Sequence, residues 1–374
     1  MTIAGSNQIS GHDQTKQLDR VRDRIAAWVE TGQINGAALA VGMEGRQVAA
    51  MSFGEAREGI PASEETLWPL ASISKIYSAA MIMALVEAGE LTLSLPAHTI
   101  LPDFTGGGQE EILLRHLLTH TSGLIYESPA MEQRLKDLTP YEELIDEAYL
   151  YPLSFRPGSR ISYSDYGIAI ATRMAERVTG RDRDELIREL VFERAGLANT
   201  YFRLPEEEYD RLAYVVGPLA EGTDGAMYNT RYAIDLAHPS FGAIASVTDL
   251  LSFIMLFRPD SDRRIHSRAT VRAMTTDQTG GHTPGGIGGF TELNQPMPWG
   301  LGFMLASPAS FSPDLVAPGS FGHGGASGCT VWHDPVHDIS VAFVSNKHAG
   351  TGRIPFTRRL VSTVNGVIAS LTND

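Results

Sequence analysis

Strand-like runs lie toward both ends of this 374-residue chain, and the stretch between them reads as helix. Near the start, G-A-A-L-A-V-G-M (36–43) and R-Q-V-A-A-M-S-F-G (46–54) flank the dipeptide E-G, the pattern of a β-hairpin. Near the end, W-G-L-G-F-M-L-A (299–306), S-G-C-T-V-W-H-D (327–334) and D-I-S-V-A-F-V-S-N (338–346) are strand-like, with P-V-H turning between the last two. Helical periodicity falls at 14–31, where Leu18, Val21, Ile25, Trp28 and Val29 recur, and at 73–89, 110–119, 131–149, 166–179, 183–195 and 247–257, with a closing helix at 354–370. Strands so far apart must meet in one sheet drawn from both ends, which predicts an α+β chain. Residues 1–70 and 235–374 are expected to form the sheet lobe and 71–234 a mainly helical lobe, with the active site between them.

Composition narrows the function. A formal net charge of -14 argues against nucleic acid as a partner, because a phosphate backbone is neutralised by clustered Lys and Arg. The single cysteine, Cys329, excludes an intramolecular disulfide and fits a reducing compartment. No basic segment followed by an apolar one opens the chain, so a cytoplasmic location is expected. Apolar runs such as L-L-S-F-I-M-L-F (250–257) are too short to span a bilayer, so no membrane partner is expected.

The most informative local stretch is W-P-L-A-S-I-S-K-I-Y-S-A-A-M-I-M-A-L-V-E-A-G-E-L (68–91). Lys75 lies near the start of this apolar helix, three residues after Ser72. Three helical residues turn about 300° and rise about 4.5 Å, so the two side chains share a face. A serine at a helix start faces unpaired N–H groups and the positive end of the dipole, which suits a developing oxyanion. A buried lysine is expected to lose proton affinity and so to act as a base toward the serine, a role arginine cannot take. Taken alone, the pair reads more readily as a helix cap and a snorkelling lysine, so other residues must decide.

Two further stretches bear chemistry. In F-R-P-G-S-R-I-S-Y-S-D-Y-G (155–167), Tyr163 follows a rigid turn and precedes a helix, placed to shuttle a proton. In S-F-G-H-G-G-A-S-G-C-T-V-W (320–332), small residues let a substrate lie along the backbone, and His323 can hold it or assist proton transfer. The G-G-H-T-P-G-G-I-G-G-F run (280–290) reads as a flexible loop near a site mouth.

The order S-x-x-K, Y-S-x, H-G-G resembles the serine β-lactamase and penicillin-binding protein superfamily, in particular its class C-like branch and family VIII carboxylesterases. The resemblance extends to L-L-R-H-L-L-T-H-T-S-G-L (113–124), F-G-A-I-A-S-V-T-D-L-L-S-F (241–253), W-G-L-G-F and F-G-H-G-G-A-S-G, and spans about residues 20 to 370. It implies the β-lactamase-like fold, an antiparallel sheet flanked by N- and C-terminal helices plus an all-helical lobe. It also implies Ser72 as nucleophile, Lys75 as its activating partner and Tyr163 as proton shuttle. His323, Gly324, Gly325, Ala326 and Asp165 would bind substrate, with the N–H groups of Ser72 and Ala326 as the oxyanion hole. His120 and the threonines of the T-H-T run would brace the active-site helix.

Two departures shift the expected substrate. Asp165 stands where the family's Y-x-N has Asn, and a carboxylate cannot donate to a substrate carbonyl. It would instead hold Lys75 charged and move the base role toward Tyr163. H-G-G replaces K-T-G, removing the fixed charge that anchors a β-lactam or peptide carboxylate. Both favour a carboxylic ester, with an amidase, D-aminopeptidase or weak β-lactamase using the same residues, or a silent peptide-binding relative, as alternatives. No cofactor or metal is expected. His116 and His120 lack an intervening Glu, and Pro335 separates His333 from His337.

Overall fold

A computed structural model describes residues 16–217, 228–281, 297–308, 312–348 and 353–372. Its centre is a seven-stranded antiparallel sheet ordered β3-β2-β1-β10-β9-β8-β7. The N-terminal hairpin supplies β1 (Gly36–Met43) and β2 (Arg46–Arg57), with β3 (Ile60–Pro61) at the edge. Glu44 and Gly45 both have positive φ (52° and 76°), the turn that matches the twist of a two-residue hairpin. Later in the chain, β7 (Met304–Leu305), β8 (Phe321–Gly325), β9 (Cys329–Asp334) and β10 (Ile339–Ser345) complete the sheet. The two sets join where β1 pairs β10, from Ala37↔Ser345 to Met43↔Ile339. A second sheet, β4-β6-β5, is built from β4 (Trp68–Pro69), β5 (Thr200–Tyr201) and β6 (Ile244–Ala245), and ties three distant segments together just ahead of the helix Ser74–Glu87.

Helices α1 (Asp19–Glu30), α2 (Ser74–Glu87), α3 (Leu114–Leu118), α4 (Asp165–Thr179), α5 (Val247–Met255) and α6 (Arg353–Leu371) frame the sheet and site. Strand alternation sorts side chains by size. Leu39, Val41, Val341 and Phe343 face α1 and α6, meeting Val21, Ile25, Val364, Val367 and Ile368. The opposite face carries Ala38, Ala40, Ala342 and Val344, against which Leu250, Leu251 and Ile254 of α5 lie. Small residues there let α5 approach closely, while each large one buried on the other face is worth about 1.5–3 kcal/mol.

Some expected elements are divided. The 131–149 helix is two short helices, Met131–Lys136 and Tyr141–Asp146, because Pro140 between them has an extended backbone (ψ 149°). The 183–195 helix starts as α-helix at Arg183–Ile187 and widens to a π-helix over Arg188–Glu193. Of W-G-L-G-F-M-L-A only Met304–Leu305 is strand, since the chain bends at Gly302 (φ 87°). The glycine-rich run at 280–290 lies outside the described residues from 282 onward. Among the described residues, no helix is long and apolar enough to cross a membrane.

Candidate active site

Ser72 sits in the single 3-10 turn Ala71–Ile73 that leads into α2. Three bonds fix this turn. Leu70 N–H donates to Ala243 O at 2.8 Å, Ser74 Oγ donates to Ala71 O at 2.6 Å, and Ala243 N–H donates to Ser74 Oγ at 2.8 Å. Ala71 is held at φ 47°, a left-handed conformation that a residue with a Cβ adopts at a cost. Ser72 itself is half-buried, open on one side.

One turn on, Lys75 is fully buried. Two hydrogen-bond acceptors meet this ammonium, Ser72 Oγ at 3.2 Å and Ser240 O at 3.0 Å, and Asp165 Oδ1 stands 2.6 Å away as its ion-pair partner. Nζ also lies 4.6 Å from the centre of the Tyr163 ring. Burial pulls the Lys75 pKa down, but the Asp165 charge and then Tyr163 pull it up, and the balance is upward. The expectation that burial alone would leave this lysine uncharged is therefore overturned: the contact across to Asp165 keeps the proton on it.

Asp165 opens α4, where its side chain meets the positive end of the helix dipole. Ser164 caps that helix by accepting from Gly167 N–H at 3.1 Å. The Asp165 backbone is clamped by Tyr126 O (2.9 Å from Asp165 N) and by Ser240 Oγ (2.7 Å from Asp165 O). Burial raises the carboxyl pKa, opposed by Lys75, and the net is upward. Thus Asp165 is engaged with Lys75 rather than turned toward the substrate space.

Tyr163 is buried, its ring beneath the Lys75 ammonium and its hydroxyl within electrostatic reach of Lys75 and Ser72. Burial raises its pKa, with Lys75 opposing, so it rests as a phenol. His120 stacks on its ring at 4.5 Å, and Trp299 stands 5.8 Å away. His120 does not brace α2. Its Nδ1 accepts from Ser164 N–H at 3.1 Å and its carbonyl from Ser162 N–H at 2.8 Å, while Thr121 O accepts from Gly158 N–H at 2.8 Å. The T-H-T run thus holds the tyrosine loop.

His323, on β8, is buried with Nδ1 2.7 Å from Gly324 O, and burial lowers its pKa to about 3. It is a neutral imidazole in a ring cluster with Tyr163 and Trp299. Gly324 is half-buried beside it. Gly325 touches the nucleophile turn, since a Cβ there would stand 2.1 Å from Leu70 O. Ala326 follows, against Ala71, Val215 and Tyr228. Among the described residues, neither Ser72 N–H nor Ala326 N–H has a hydrogen-bond acceptor, so both are available to an oxyanion. Cys329 is buried with its pKa raised to about 11 by burial, a thiol rather than a thiolate.

The other histidines are engaged separately. His116 Nδ1 accepts from Leu113 N–H at 3.1 Å, His333 Nδ1 pairs with Ser340 Oγ at 3.0 Å, and His337 Nδ1 with Asp334 Oδ2 at 2.8 Å. Among the described residues no three His, Cys, Asp or Glu side chains cluster as a metal site would require.

Three contributors escape sequence reasoning. Ser240 acts through its carbonyl, which no motif reveals. Tyr126 and Glu127 follow directly on the T-H-T-S-G-L run, and their polarity inside that apolar context is the one signal that could have found them. Burial, then the charge of Asp165, raises the Glu127 pKa to about 8 against the opposing pull of Lys75.

A family model described as Beta-lactamase matches residues 21–363. Esterase EstB of Burkholderia gladioli is 28% identical over 333 residues, 79% of this chain and 81% of that protein. Among solved structures, a family VIII carboxylesterase superposes with a TM-score of 0.75 at 22% identity, covering 94% of this chain and 97% of the other. A class C beta lactamase does so with a TM-score of 0.74 at 16% identity, covering 98% and 100%. These two likenesses concern the fold.

Proposed function

Because the chain belongs to the beta-lactamase family of serine hydrolases, we propose that it hydrolyses small carboxylic esters through an acyl group carried on Ser72. The observation that carries this reading is the hydroxyl of half-buried Ser72, 3.2 Å from the ammonium of the buried Lys75. The esterase name of the relative that matches four-fifths of the chain supports the choice of ester.

The charge state of the site shapes the mechanism. A protonated Lys75 cannot accept a proton unless it releases one. As Ser72 Oγ attacks the ester carbonyl, its proton passes to Nζ while Nζ gives one to Asp165 across their 2.6 Å contact. The oxyanion that forms meets the N–H groups of Ser72 and Ala326, each worth roughly 3 kcal/mol to the transition state. Tyr163 then protonates the departing alkoxide and is restored by the proton held on Asp165, relayed through Lys75. Water reverses the sequence, freeing the acid and Ser72. The ligand is a small molecule, and the reaction needs no group beyond these side chains and water.

The missing fixed cation disfavours carboxylate-bearing substrates, since His323 is neutral and Lys75 is spent on Asp165. Incubation with p-nitrophenyl butyrate, D-alanyl p-nitroanilide and a chromogenic cephalosporin is expected to give fast turnover of the ester alone. A fluorophosphonate is expected to add to Ser72, located by mass spectrometry. Preference for the anilide or the cephalosporin would refute the ester assignment, and an unlabelled Ser72 would refute the nucleophile.

A further inference from the structure

Building on the ester-hydrolase reading above, we propose that Glu127 selects substrate by charge, and that the preferred esters carry an ammonium group close to the scissile bond.

The charge inventory around Ser72 leads there. Lys75 and Asp165 cancel each other. His120, His323 and His238, the neighbouring imidazoles, are all pushed by burial toward the neutral form. Tyr126, Tyr163 and Tyr228 are all pushed upward and remain phenols. That leaves the carboxyl group of Glu127. Among the described residues it has neither an ion-pair nor a hydrogen-bond partner.

Its location is set by the chain around it. Residues 125–126 run alongside 164–165, with Ser164 Oγ donating to Ile125 O at 2.7 Å and Asp165 N–H to Tyr126 O at 2.9 Å. Glu127 follows directly and is half-buried, within electrostatic reach of Asp165 and Lys75. Tyr126, the residue before it, stacks on Tyr163 with ring centres 6.0 Å apart, and the Tyr228 and Tyr166 hydroxyls feel the Glu127 charge. A carboxyl group among aromatic rings is the chemistry that recognises an alkylammonium ion, by charge and by cation–π attraction.

Protonation makes the arrangement stable when empty. With its pKa near 8, Glu127 carries a proton at neutral pH, so no unpaired charge is left in the cleft. An arriving ammonium takes that proton's place, and binding releases one proton to solvent. An anionic ester meets the opposite situation, with Asp165 already ionised and Lys75 held by it.

The test compares quaternary esters, which do not titrate, with uncharged isosteres. Butyrylthiocholine against 3,3-dimethylbutyl thiobutyrate puts the charge on the leaving group. An S-ethyl 4-(trimethylammonio)butyryl thioester against its 5,5-dimethylhexanoyl counterpart puts it on the acyl side. In one of the two pairs the cation is expected to be preferred about tenfold in kcat/KM at pH 7, with the preference growing as pH rises through 8. Glu127→Gln should bring the ratio close to one, and Glu127→Asp, which keeps the carboxyl group, should retain part of it. Absence of cation preference in both pairs, or a preference unchanged in Glu127→Gln, overturns the proposal. Choline binding followed by calorimetry in two buffers gives a readout independent of turnover. If no ester is hydrolysed, proton release on choline binding that disappears in Glu127→Gln upholds the selector while refuting the nucleophile. If esters are hydrolysed and choline neither binds nor releases a proton, the selector fails and the nucleophile stands.

Discussion

At the residue scale the site turns on Lys75, where burial and a carboxylate pull in opposite directions and the carboxylate wins. Replacing Asp165 by Asn removes that carboxylate and leaves burial unopposed, so the lysine pKa falls. On the proposed relay the acid limb of kcat/KM is set by ionisation of Asp165 in the native enzyme, and in the variant it should be set by Lys75 and move to higher pH. A pH–rate profile whose acid limb stays in place would remove Asp165 from the proton path. Replacing Lys75 by Arg keeps a cation but ends proton relay, and a fall in kcat of about 10²- to 10⁴-fold is expected. Equal turnover by stopped-flow assay would refute the relay. Much of this was legible in the sequence, because a three-residue spacing on one helix brings Ser72 and Lys75 together whatever the rest of the chain does. The charge on Lys75 was harder to read, since it depends on a partner ninety residues away. The same holds for Glu127, whose environment is made by the tyrosines and by Asp165, and for the Ser240 carbonyl.

At the element scale, the end of β8 presses on the Ser72 turn and so sets the spacing of the two N–H groups proposed to hold the oxyanion. Gly325 is the contact point, with no room for a methyl group next to Leu70 O. Gly325→Ala must push the strand and the turn apart, and overpacking of this kind costs about 1–3 kcal/mol. Urea unfolding should register that loss, and fluorophosphonate labelling of Ser72 should slow at least about tenfold as the donors separate. Labelling at the native rate would show that β8 does not position the turn. The elements themselves were legible where periodicity is local, as in the E-G hairpin, α1, α4 and α5. They were less so where tertiary contacts decide. The two-residue strands β4, β5 and β6 carry no pattern of their own and exist because they pair with each other across the chain. The split at Pro140 could have been read from the residue itself, whereas the widening of the helix at Arg188–Glu193 has no mark in the sequence.

At the scale of the whole molecule, buried neutral imidazoles tie stability to acidity. Burial lowers His323 to about 3 and His333 to about 4, against an ordinary value near 6.5. Below pH 6.5 the unfolded chain binds protons at both positions and the folded chain does not, so their contribution is complete above 6.5 and is lost as pH falls toward 4. Each removes about 1.4 kcal/mol per pH unit. Glu127 works the other way, its contribution being complete below about 4.5 and lost as pH rises toward 8. Two imidazoles outweigh one carboxyl group, so the urea midpoint should fall between pH 6.5 and 4.5, and His333→Gln should make that fall shallower. A midpoint level across the window would mean that these rings are hydrated in solution. The pairing of β1 with β10 has a temporal side. Gly36 N–H bonds to the side chain of Asn346, 310 residues away, so at about 5–20 residues per second the first hairpin leaves the ribosome roughly tens of seconds before β10 exists to cover its free edge. Until then that edge of β1 has no strand to pair with, and the central sheet can close only once the late strands have been made.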